Sequence, residues 1–221
     1  MDRCQLKLIA VVSMLVDHIG AVLLPQYIAL RYIGRIAFPI YCFLLVEGYY
    51  HTRDVKKYLL RLSCFALLSE IPYDLAFRRM PFYWNKQNVF FTLSIGLAVI
   101  ALSDWLTDKS DRKEMVRIWQ AIVLMAGCLL VSYIKSDYTY IGVILILFFY
   151  LLHESRWQTV FALGILMGME YFSGSIQWFA VTAAVPILLY NGGKGRSMKY
   201  AFYLFYPVHL LVLYGIGRWM R

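Results

Sequence analysis

Long apolar runs, each broken by a short polar connection, organise the whole chain. Taking about 20 apolar residues as one crossing of a bilayer, the pattern predicts helices over residues 5–24, 27–50, 57–76, 89–106, 118–134, 138–152, 157–173, 176–190 and 199–219. The runs lack the period-2 alternation of barrel strands, and backbone amides in lipid must find partners within their own segment. The expected fold is therefore all-α, a polytopic membrane bundle of about nine transmembrane helices in a single domain over 1–221, without internal repeats. The segments at 138 and 176 are short for a crossing and are expected to tilt or dip part way.

Composition agrees with the pattern. The 221 residues are 61% hydrophobic and 16% charged, too little polar surface to coat a soluble domain. Mean hydropathy is +0.61, so the lipid bilayer is the expected partner. Aromatic residues make up 17% and gather at the ends of apolar runs, where amphipathic rings favour the headgroup level. A formal charge of +9 raises nucleic acid as a partner, but the basic residues fall in the connections between runs, which is the arrangement that orients membrane helices, and no nucleic-acid role is expected. Cys4, Cys42, Cys64 and Cys128 are too widely spaced for a disulfide framework or a metal site. The first run begins like a signal peptide, but Asp17 and His18 interrupt it, so it is expected to remain in the mature protein.

Charge in the connections predicts orientation. Arg3, Arg53, Lys56, Lys57, Lys109, Arg112, Lys113, Arg117, Arg156, Lys194, Arg196 and Lys199 fall on the side of the N-terminus, against Arg78, Arg79, Lys86, Lys135, Arg218 and Arg221 on the other. Twelve against six places the N-terminus inside.

Ionisable groups inside the runs carry the functional signal, because each costs a few kcal/mol at mid-bilayer. The first run, "KLIAVVSMLVDHIG", holds Lys7, Asp17 and His18. In the second, Arg31 and Arg35 lie four apart, hence on one helical face, and Glu47 returns that helix to the level of Lys7. Asp17 is a fitting partner for Arg31 or Arg35 but not an orienter of His18, since adjacent residues leave a helix about 100° apart. Gly34 is expected to permit close helix approach, and Pro39 to bend the second helix. In the last run His209 lies about 15 Å above Lys199, near the inferred depth of His18, with Pro207 expected to kink the helix beside it. One chamber shared by His18, His209 and Arg35 is the expectation. Glu70 and Asp74 flank Pro72 in the third run, where a structural or gating role competes with a chemical one. "NGGKG", residues 191–195, is a glycine-rich connection with Lys194 that fits an anion nest or simply a flexible turn. Interhelical salt bridges and hydrogen bonds also place polar residues in bundles.

The stretches "KLIAVVSMLVDHIG", "RYIGRIAFPIYCFLLVEGYYHTRD", "SEIPYDLAF", "NVFFTLSIGL", "SDYTYIGVILILFFYLL" and "KYAFYLFYPVHLLVLYG" together resemble, in order and over nearly the whole chain, the bacterial TraX family. That family is associated with conjugative transfer and pilin N-terminal acetylation. More distantly the sequence is similar to the membrane acyltransferase type 3 superfamily, whose basic residue followed after ten residues by His maps to Lys7 and His18; the superfamily's Arg pair maps to Arg31 and Arg35. The resemblance implies a bacterial cytoplasmic (inner) membrane location and an acetyltransferase using acetyl-CoA. The acceptor would be an amine or hydroxyl at the outer face, on a protein such as pilin or on a cell-surface glycan.

On that reading His18, Arg35 and His209 form the catalytic group, His18 acting as general base or nucleophile and Arg35 or His209 steadying the oxyanion. Lys7, Asp17, Arg31, Glu47, Glu70, Asp74 and Lys194 are candidate binding residues, with acyl-CoA phosphates met by Lys7, the 53–57 connection and the 194–199 loop. A transporter or proton relay, and a non-catalytic subunit of a conjugation or pilus apparatus, are the alternatives.

Overall fold

The computed structural model describes residues 1–109, 112–196 and 199–220, with the side chains of Lys199 and Tyr200 left aside. Lys199 and Arg221, both used in the charge tally, therefore lie outside the described side chains. Ten α-helices are described: α1 (Arg3–Val22), α2 (Ile28–Gly34), α3 (Ala37–His51), α4 (Val55–Arg78), α5 (Val89–Lys109), α6 (Lys113–Tyr133), α7 (Thr139–Leu151), α8 (Arg156–Phe172), α9 (Ala184–Leu188) and α10 (Lys199–Trp219). A 3-10 segment, Ile176–Ala183, runs directly into α9. Every apolar run is thus helical.

Among the described residues, four stretches are long and apolar enough to cross a membrane: α1, α2 with α3 taken together, α5 and α6. Of the others, α7, α8 and the 176–188 stretch are shorter, and α4 is more heavily charged, carrying Lys56, Lys57, Arg61, Glu70 and Asp74 within one helix. Contacts nevertheless sort the connections onto two faces. On the face of the N-terminus, the Met1 ammonium donates to the Leu189 carbonyl at 2.7 Å, and Arg3 N–H to Gly193 O at 2.8 Å. On the opposite face, Gln87 N–H donates to Lys135 O and Lys86 pairs with Asp137 at 3.1 Å.

Helix ends follow local chemistry. Asp2 caps α1 in a reciprocal box with Gln5, its carboxylate accepting Gln5 N–H at 2.8 Å while the Gln5 amide oxygen accepts Asp2 N–H. Asp54 caps α4 by accepting Lys57 N–H at 2.9 Å, a bond that holds this carboxyl below its ordinary pKa.

The second predicted span differs from expectation. It breaks at Arg35 and Ile36, whose N–H groups make short i→i−3 bonds to Tyr32 and Ile33, and α3 starts afresh at Ala37. Pro39 is the third residue of α3, where a helix has no acceptor for the missing N–H, so it marks a new start instead of bending a continuous helix. The segment at 176 also differs: a 3-10 stretch rises about 2 Å per residue against 1.5 Å in an α-helix. Its eight residues therefore reach further than eight α-helical ones would.

α1 packs on α2, α3 and α10, and α10 lies along α4, which continues the layer to α5. The core is apolar, with Leu6, Ile40, Leu97, Ile146, Leu163, Ile187 and Leu210 fully buried.

Candidate functional site

Two faces of α1 carry different chemistry. Asp17 and His18 are neighbours in sequence and equally buried, each 8% exposed, yet their side chains leave the helix about 100° apart. Asp17 meets α2, whereas His18 meets α10 and α4.

On the Asp17 side, Oδ1 accepts Arg35 Nη2 at 2.5 Å and Oδ2 accepts Arg31 Nη1 at 2.8 Å. Arg35 donates further from Nε to the Arg31 carbonyl and from Nη1 to Gln177 Oε1, both at 3.1 Å. Gly34 makes this knot possible, because a Cβ there would overlap the Asp17 carboxylate. Both expected Arg partners are present at once.

On the other side, His18 Nδ1 and His209 Nε2 are 2.7 Å apart and buried, joining helices from opposite ends of the chain. The second His209 nitrogen, Nδ1, donates to the Phe205 carbonyl at 2.7 Å. A carbonyl can only accept, so in a neutral pair His209 must be protonated at Nδ1 and accept at Nε2. His18 then carries its proton on Nδ1, leaving the Nε2 lone pair unused. Phe205 stacks on His209 at 4.6 Å, and Phe77 and Tyr206 pack edge-on against His18 at 5.2 and 6.0 Å. These rings fix both imidazoles. Pro207, one residue beyond Tyr206, removes the N–H that would have served the Tyr203 carbonyl.

Arg35 is not in hydrogen-bond contact with this pair; it lies in the Asp17 knot, and its charge acts on His18 from a distance. The expected trio thus divides into two imidazoles in contact and a guanidinium on a second face of α1. Neither of the two cavities described is lined by these three residues.

Glu47, expected level with Lys7, is held one turn further toward the N-terminal face. Its Oε2 accepts from Arg3 at 3.4 Å and from the Tyr190 hydroxyl at 3.1 Å, and its Oε1 lies 3.1 Å from His153 Nε2. Lys7 instead lies over the Phe202 ring at 5.3 Å, in the crevice between α1 and α10. Glu70 Oε2 accepts from the Asn88 side chain at 2.5 Å, and Asp74 Oδ2 accepts Tyr83 N–H at 2.6 Å. These two carboxylates therefore tie the 83–88 connection to α4. Lys194 is exposed, and its loop is anchored to the start of α1 with Gly195 against the Asp2 carboxylate. Among the described residues no three metal-ligand side chains converge.

Sequence reasoning missed several participants. Arg61 stands over Tyr58 and Tyr203 at 5.5 and 5.7 Å, a second cation in the α4–α10 crevice on the N-terminal side of the histidines. Its signal was present, a lone charge in "YLLRLSC". His153, at the end of a predicted span, is a Glu47 partner. Asn88, fully buried, donates to Ala66 O and caps α5 through Phe90 N–H, which no periodicity announces.

Comparison with known proteins adds a family. The TraX protein family matches residues 2–217. A relative named a probable fimbrial assembly protein FimC, serogroup H1, from Dichelobacter nodosus is 31% identical, covering 95% of this chain and 93% of its own. An uncharacterised protein from Rickettsia prowazekii is 30% identical over 43% of this chain and 35% of its own. No solved structure matches significantly.

Proposed function

This chain belongs to the TraX family, and from that premise we propose that it is a bacterial inner-membrane acetyltransferase serving pilus assembly. It takes the acyl group from acetyl-CoA at the face of its N-terminus, inside the cell, and passes it to an amine or hydroxyl acceptor at the opposite face. The nine helical segments are its crossings. The observation that carries the reading is the buried hydrogen-bonded chain Phe205 carbonyl, His209, His18, which ends on an unshared nitrogen. A buried polar pair costs stability unless satisfied, and satisfaction alone does not require a relay that leaves one strong acceptor unused.

Acyl transfer uses that acceptor. The acceptor N–H or O–H attacks the thioester carbonyl carbon while its proton passes to His18 Nε2. The tetrahedral oxyanion collapses, the C–S bond breaks, and the departing thiolate takes the proton from His18. His209, with both nitrogens engaged, does not reach the reacting carbonyl; it is a positioning residue that fixes the His18 tautomer. Two guanidiniums on one carboxylate leave the Asp17, Arg31 and Arg35 knot with one net positive charge beside the histidines, a field that favours the oxyanion. Lys7 and Arg61, in the crevice on the N-terminal side, suit the phosphates of the donor, with Arg53, Lys56 and Lys194 exposed at its mouth.

The test is purified protein with radiolabelled acetyl-CoA, following hydrolysis and label transfer. His18→Ala should lower turnover by about 10² to 10⁴-fold, the range of general acid–base catalysis. Equal turnover in the two proteins would remove the catalytic assignment and leave a non-catalytic assembly subunit.

A further inference from the structure

The histidine pair sits in a crevice made by α1, α4 and α10, and the same three helices enclose a cleft of about 210 Å³ at the face opposite the N-terminus, lined by Val22, Ala76, Arg79, Tyr214, Gly217 and Arg218. The cleft lies directly beyond the pair. Val22 is one turn, about 6 Å, past His18; Tyr214 is about 7.5 Å past His209. Ala76 adjoins Phe77, whose ring packs on His18.

Its chemistry is basic. Arg79 and Arg218 have no side-chain hydrogen-bond or ion-pair partner among the described residues. Arg79 ends α4 in the left-handed conformation, φ 61°, its N–H capping the helix on the Leu75 carbonyl at 3.2 Å. Among the described residues no carboxylate lines the cleft, although Asp74 lies only five residues before Arg79; that carboxylate is bound to Tyr83 N–H. Gly217 keeps the cleft open: a Cβ there would come within 3.2 Å of Leu23 and 3.8 Å of Val22. Arg78, by contrast, lies over the Tyr83 ring at 4.9 Å and does not line the cleft.

We propose that the Arg79–Arg218 cleft binds a phosphate-type anion carried by the acceptor, holding its nucleophile over His18. Two guanidiniums clamp a phosphate through paired N–H donors, Tyr214 adds a hydroxyl, and a headgroup-level position suits an anionic amphiphile. The inference rests on the acyl-transfer reading for the nucleophile's role, but the anion site is tested without acetyl-CoA, so the two fail separately.

The experiment is calorimetric titration of the full-length protein in a neutral detergent with dihexanoyl phosphatidic acid, inorganic phosphate and dihexanoyl phosphatidylcholine. Phosphatidic acid should bind, Arg79→Gln with Arg218→Gln should weaken it at least tenfold, and Gly217→Leu, which keeps every charge, should weaken it comparably. Arg78→Gln removes an equal charge outside the cleft and should change affinity less than twofold. Inorganic phosphate binding as tightly as the lipid supports the anion site and assigns it to a soluble phosphate group; much weaker binding supports an amphiphile. Choline lipid binding as well as phosphatidic acid, equal losses in all three variants, or affinity unchanged in the double variant would each overturn the proposal. Loss of acetyl transfer with phosphatidic acid binding intact would leave this site standing and count against the acyl-transfer reading alone.

Discussion

Asp17 and His18 are one bond apart in the chain and equal in burial, but they belong to opposite kinds of site. Asp17 is closed: each oxygen is taken by a guanidinium, Arg35 is tied further to the Arg31 main-chain carbonyl and to Gln177, and Gly34 brings the helices close enough to seal it. His18 is open-ended, one nitrogen committed to His209 and the other carrying no partner among the described residues. A closed network of charges answers the cost of burial by pairing, and its removal shows as lost stability. An open-ended chain of neutral groups leaves binding capacity unspent, and its removal shows as lost chemistry. The 100° between neighbouring helical residues is what lets one turn of α1 hold both.

The sharpest way to break this comparison is Asp17→Ala. It strands Arg35, buried and 7% exposed, together with Arg31. Removing one partner of a buried ion pair costs about 3–5 kcal/mol. The midpoint of thermal unfolding in detergent should fall far more than for His18→Ala, which takes away only a neutral contact. Equal losses of stability would erase the distinction drawn between the two faces.

A smaller effect sharpens the other half. His209→Phe keeps a flat ring between Phe205 and Tyr206 but removes the acceptor that holds the His18 proton on Nδ1. Turnover should fall roughly 10 to 100-fold, below the loss expected for the base itself, with the acceptor KM little changed. His209→Gln, whose amide oxygen can accept from His18 Nδ1, should recover part of the loss. A purely packing role predicts the reverse order, with Phe the better replacement.

Depth counting made much of this legible. Rise per residue alone aligned His18 with His209 from opposite ends of the chain, and the i,i+4 spacing of Arg31 and Arg35 made either one a fitting partner for Asp17, which takes both. What failed was finer than a helical turn or came from outside the helices. Arg35 shares the depth of His18, but depth does not fix azimuth, and the break after Gly34 turns its guanidinium to Asp17 and Gln177. Pro39 was read as a bend because a proline's effect depends on its position relative to a helix start, and the sequence does not mark that start. The loop at 135–139 is held by Gln87 from another connection and by Thr92 of α5, with Lys135, Tyr138 and Thr139 all at positive φ, none of it visible in hydropathy.

The smallest predicted effect lies at the N-terminal face and tests whether closure extends there. Glu47 gathers Arg3, His153 and Tyr190 from three distant parts of the chain, the same closed pattern as Asp17 and as deeply buried. Tyr190→Phe removes one neutral hydroxyl and leaves Glu47 with two basic partners, so no charge is stranded. Interhelical hydrogen bonds in membrane proteins average about 0.6 kcal/mol, and the unfolding midpoint should shift accordingly little, with acetyl transfer unaffected because the ring stays packed on Phe43. Glu47→Gln should cost more than Tyr190→Phe, since it leaves Arg3 without its carboxylate. If the hydroxyl proved as costly as the carboxylate, closure by charge would not be what stabilises this face, and the contrast drawn at Asp17 would hold only in the deeper half of the bundle.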